Sequence, residues 1–152
     1  MHRGGPLKQE QHNQLIAWAC SCAEHVLPLA GNLTDARLIK AIIVARNRAA
    51  GNATVGEARA AALGAFAVAN DTPDEIIKAV ARSAGHAAAT AHMADHSLRA
   101  ADYALKSVDI SGGSADAERN WQDKQLTGEI EFLVNSARQS HKSIFKRDLH
   151  NK

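Results

Sequence analysis

The sequence predicts an all-α fold, and three observations carry that prediction. Alanine fills 31 of the 152 positions. It is the best helix former, because ordering it costs no side-chain entropy, and it is a poor strand former. Apolar residues recur at three- and four-residue spacing, and no stretch of strand length alternates with period two. Helix starts are also written into the chain. Thr54 stands three residues before Glu57, and Thr72 three before Glu75 with Pro73 between them.

The expected elements follow in order. A first helix spans about Leu7 to Leu27, with Leu15, Trp18, Ala19, Cys22 and Val26 as its inward stripe, and Pro28 and Gly31 end it. A second opens at Thr34 as N-cap and buries Leu38, Ile39, Ile42 and Ala45, stopping near Gly51. A third opens with the Thr54–Glu57 capping box and carries Leu63, Phe66 and Val68 among alanines. Gly64 inside it costs about 1 kcal/mol relative to alanine, which a close backbone contact would explain. A fourth opens at Thr72 and buries Ile76, Ile77, Val80, Ala84, Ala87 and Ala88.

The helical pattern continues from Ala91 to Val108 on Ala94, Leu98, Ala101, Ala104, Leu105 and Val108. At 100° per residue this apolar face is displaced by roughly 80° from that of the fourth helix, so one straight helix cannot bury both. A break is expected between Gly85 and Thr90. Asp109 to Ser114 is a loop, and a last helix runs from about Ala115 to Gln139. It carries Leu126, Ile130, Leu133 and Ala137 on one stripe, and Trp121 and Phe132 on another. The expectation is one domain over 1–152, a compact bundle or short stack of five to six mostly antiparallel helices. Its core covers about 7–139, between flexible ends at 1–6 and 140–152.

Composition excludes several functions. The formal net charge of +2 lacks the basic excess of a nucleic-acid binder, and the basic tail residues Lys142, Lys146 and Arg147 do not supply it. No apolar run reaches membrane-spanning length, and the polar start has no apolar signal core. Cys20 and Cys22 point about 200° apart on a helix, so no disulfide is expected, and a reducing, cytoplasmic compartment is. The chain has no G-x-x-x-x-G-K phosphate loop, no G-x-S-x-G elbow and no H-E-x-x-H motif. No cofactor and no enzymatic activity are expected.

The richest polar segment is 85–97. His92 and His96 stand i, i+4 on a helix, a spacing that can place two imidazoles on one metal, with Asp95 as a third ligand. His86 projects about 120° from His92 and joins them only if the helix breaks between. The alternative is structural. Asp95–Arg99 and Asp102–Lys106 are i, i+4 ion pairs of a solvated face, flanked by His92, His96, Arg99 and Tyr103. That stripe lies away from the alanine-rich face. It reads as a partner-binding surface built on Arg99 and Tyr103, or as packing against the first or last helix. Glu24 and His25 could form an acid–base pair, though neighbours on a helix diverge by 100°; His25 also suits the negative end of the helix dipole.

Two segments resemble a bacterial all-α family, the fifth immunity type of polymorphic toxin systems. They are Cys22-Ala-Glu-His-Val-Leu-Pro-Leu29, and Ala84-Gly-His-Ala-Ala-Ala-Thr-Ala-His-Met-Ala-Asp-His-Ser-Leu98 with the following Ala100-Ala-Asp-Tyr-Ala-Leu-Lys106. Gly56-Glu-Ala-Arg-Ala-Ala-Ala62 and Trp121-Gln122 are similar too, so the resemblance covers about residues 15–126. It implies a stoichiometric binder that neutralises a cognate toxin by covering its active site or locking its conformation. Near-neutral charge argues against an acidic decoy of a basic nuclease, leaving shape and local contacts to supply affinity. A metal-binding helical protein using His92, Asp95 and His96, and a homo-oligomeric structural protein, are the competing readings.

Overall fold

A computed structural model describes residues 7–32 and 34–140. Among the described residues there are seven α-helices and no strand: α1 (Gln9–Val26), α2 (Ala36–Ala49), α3 (Val55–Asp71), α4 (Glu75–Ala89), α5 (His96–Ile110), α6 (Ala115–Lys124) and α7 (Gly128–Ser140). A short 3-10 turn, Leu27–Ala30, follows α1. The expected end 1–6 lies outside the described residues, as does the expected end 140–152, with Lys142, Lys146 and Arg147, apart from Ser140, the last residue of α7.

The all-α class therefore holds, and the count rises from five or six helices to seven. The expected last helix is two, α6 and α7, separated at Gln125–Thr127. Gly128 starts the second with φ of +51°, a left-handed conformation that glycine adopts without a Cβ penalty.

α4 is the centre of the structure and packs against α1, α2, α3 and α5. Ala79, Val80, Ala81, Ala84, Ala87 and Ala88 on it are almost entirely buried. Side chains this small let neighbouring axes come close, and the larger Leu15, Ile16, Leu38 and Val26 fill the space between α1, α2 and α4. The closest approach falls at Gly85, not at Gly64. A Cβ at Gly85 would lie 2.6 Å from the ring of Phe66, whereas one at Gly64 would meet only the Arg37 side chain at 3.8 Å.

Helix boundaries follow local chemistry. Thr54 and Glu57 form the expected reciprocal capping box on α3. At α2 and α4 the cap moves one or two residues along. Asp35 accepts from Arg37 N–H, and Asp74 accepts from the N–H groups of Ile76 and Ile77. A carboxylate at the N-terminus satisfies orphan donors and also meets the positive end of the helix dipole, so Asp35 and Asp74 displace Thr34 and Thr72. Ile39, expected in the core, is 43% exposed, because α2 buries only the narrower stripe Leu38, Ala41, Ile42 and Ala45.

The break between the fourth and fifth helices exists; it begins at Thr90, the last residue of the expected span, and runs to Asp95. α4 continues through Gly85 to Ala89. In an uninterrupted helix the Thr90 carbonyl would accept from residue 94. Here it accepts from His12 Nε2 at 2.6 Å, while the Thr90 hydroxyl donates back to the His86 carbonyl. α1 thus takes over the carbonyl that continuation would need.

Candidate functional site

The break rearranges the histidine segment. His86 lies in the last turn of α4, and His96 is the first residue of α5. Across the Thr90–Asp95 turn their Nδ1 atoms come within 2.8 Å, with ring centroids 5.0 Å apart. Tyr103, two turns further along α5, stacks on the other side of His86 at 5.4 Å with the planes 6° apart. Phe66 of α3 meets the same ring edge-on at 4.9 Å. Gly85 allows that contact, since any side chain there would displace Phe66. The Arg82 guanidinium lies 5.7 Å from the Tyr103 ring centroid, within cation–π reach.

This surrounding disfavours imidazolium. Burial, then the neighbouring His96, Arg99 and Arg82, push His86 down from 6.5 to about 3. His96 is also lowered, by burial first and by Arg99 and His92 next, against an opposing pull from Asp95. Both rings are held neutral at physiological pH, so the contact between them is an N–H donating to a bare ring nitrogen.

The expected site residues separate into two groups. Arg99 is exposed and Tyr103 half-buried, so both reach the surface. His96 is half-buried and pairs with His86 rather than with His92. His92 and Asp95 are exposed residues of the turn, outside any helix, so the i, i+4 premise of the metal reading does not apply to them. Among the described residues, no three His, Cys, Asp or Glu side chains come together as a metal would require. Asp102, expected on a solvated face, is only 5% exposed because α5 packs on α1, α4 and α6. Sequence reasoning set His86 aside on helix geometry, conditional on a break; the break brings it to the centre. Phe66, Gly85 and Arg82 carried no motif, and only the packing of three helices assembles them.

A second histidine joint lies on the other side of α1. Glu24 and His25 do not pair. Glu24 receives a two-pronged bond from Arg46 of α2, while His25 Nδ1 faces Glu118 Oε2 of α6 at 2.6 Å. The His25 ring stacks on Trp121 at 3.5 Å with the planes 6° apart. Close by, Gln122 is fully buried and donates to the Ala101 carbonyl, while its own carbonyl accepts from Trp18 Nε1. Arg138 of α7 donates to Gln122 Oε1 and Asp123 Oδ1, and its guanidinium lies over the Trp18 ring. Cys20 and Cys22 are free and buried, as expected of cysteines pointing apart. Burial pushes the Cys20 thiol up to about 12 and raises Cys22 as well, which removes both as nucleophiles.

Fold and site together define an all-helical protein whose most developed polar feature is a stacked imidazole–aromatic face edged by arginines. Comparison with protein families places it further. The model described as Imm-5 like putative immunity protein matches residues 5–129, and the chain belongs to that family. No curated protein and no solved structure matches the chain. No helix among the described residues is long and apolar enough to cross a membrane.

Proposed function

We propose that this protein binds a cognate bacterial toxin in a stoichiometric complex and neutralises it without catalysis of its own. Membership of an immunity family over residues 5–129 is the observation that carries this reading. The surface formed by Arg99, Tyr103, His92 and His96 supplies the anchors. Tyrosine and arginine dominate binding hot spots because they offer large contact area with a polar end. Tyr103 is already held in place by its stack on His86, so little side-chain entropy remains to be lost on docking. The reading is also compatible with a cytoplasmic protein that meets its toxin inside the producing cell.

Co-expression with a candidate cognate toxin domain tests the proposal. Wild-type protein should restore growth. Arg99→Glu and Tyr103→Ala should weaken the complex at least about tenfold, the usual effect of losing a hot-spot side chain. Full protection by both variants would move the docking surface elsewhere, and no protection by the wild type would remove the function.

A further inference from the structure

We propose that the His86–His96 contact is a proton-sensitive latch that closes the α4–α5 turn and opens when both rings are protonated. The geometry is specific. Two ring nitrogens from different helices stand 2.8 Å apart, a distance that requires one proton between them. With both imidazoles neutral, one Nδ1–H donates to the bare Nδ1 of its partner. One added proton can be carried on an outer Nε2 and leaves that bond intact. A second proton must go to the accepting Nδ1, and two N–H groups then face each other across 2.8 Å.

The neighbours oppose the second charge. α4 contributes Arg82 and α5 contributes Arg99; His92 adds to them from the turn, while Asp95 pulls the other way on His96. α3 brings only the Phe66 ring to the contact, which offers no counter-charge. Tyr103 and Phe66 pack against the His86 ring and limit the water that can replace the lost bond.

The sign follows from linkage. In an open or unfolded chain both histidines titrate near 6.5, whereas in the closed structure His86 lies at about 3 and His96 below 6.5. The open state therefore binds more protons. The latch is fully effective above pH 6.5 and is lost as pH falls below it. For His86 alone, the opening equilibrium should approach a tenfold rise per pH unit once the pH is well below 6.5, or about fiftyfold between pH 6.5 and 4.5. The segment released is Thr90–Asp95, held to the helix ends by the backbone N–H groups of His92, Met93, His96 and Ser97. This inference rests on the pair's geometry and not on the proposed function, so it is testable on the protein alone.

The experiment is a ring-nitrogen NMR titration of the full chain from pH 7.5 to 4.5, with denaturant unfolding of wild type and His86→Phe over the same range. In the wild type, His86 should remain neutral to below pH 5, with one of the two rings in the Nδ1–H form. Amide protection at His92, Met93, His96 and Ser97 should fall before that of α1 and α2. Well below pH 6.5, the wild-type unfolding constant should rise about tenfold more per pH unit than that of His86→Phe. A His86 ring that titrates near 6.5, or equal pH dependence in both proteins, would overturn the latch. If His86→Phe does not fold, the wild-type titration and amide protection decide alone: protection retained at pH 4.5 rejects the opening.

Discussion

The alanine-packed centre and the α6–α7 periphery hold together by different means. Around α4 the side chains are small, few polar atoms intrude, and cohesion comes from close helix approach over a broad area. Ser83, which donates to the Ala100 carbonyl at 2.8 Å, is one of the few polar ties there. At the periphery polar side chains fasten the helices, the His25–Glu118 pair among them. Gln122 spans from α6 to α5, Arg138 spans from α7 to α6, and the Trp18 indole reaches the Gln122 carbonyl from α1. The centre depends on volume and the periphery on hydrogen-bond satisfaction, so the two should fail differently under substitution.

Four substitutions probe that contrast, from the largest effect to the smallest. Leu15→Ala in the centre removes a side chain with no exposure and should cost about 3 kcal/mol in chemical denaturation, because alanine-rich neighbours cannot collapse into the cavity. Gln122→Ala should cost about 2 kcal/mol, since it removes the extra donor to the Ala101 carbonyl and takes from the buried Arg138 its Oε1 acceptor, and the loss should appear first as amide exchange in α6 and α7. Thr54→Ala removes one arm of the α3 capping box and should lower stability by about 1 kcal/mol. Glu24→Gln breaks a pair with Arg46 whose two side chains are 46% and 38% exposed. Its effect should stay below about 0.5 kcal/mol and shrink with added salt. If Gln122→Ala were as costly as Leu15→Ala and unfolded the whole chain at once, the two regions would be one cooperative unit and the contrast would fall.

The same contrast explains what could be read from the residues. Helical class, the α3 capping box and the inward stripe of α1 follow from local periodicity and side-chain chemistry, and these are the properties that set the centre. Ile39 escaped because an apolar residue beside a stripe is not thereby inside it. The Gln125–Thr127 break was hidden by apolar spacing that continues across it. His25 and Glu118 are 93 positions apart, and no local pattern links them. That Arg99 and Tyr103 reach the surface was legible from their spacing on α5. The His86–His96 contact depended on where the helix broke, at a turn whose Thr90 carbonyl accepts from His12 of the distant α1. Long-range polar contacts leave no period in the sequence, and the periphery and the site are made largely of them.

The central claim is a stoichiometric partner, and titration calorimetry with a candidate cognate toxin domain tests it most directly. One-to-one binding that weakens at least about tenfold in Arg99→Glu is the result this account predicts. No heat of binding, with both proteins folded and the toxin active, would contradict it.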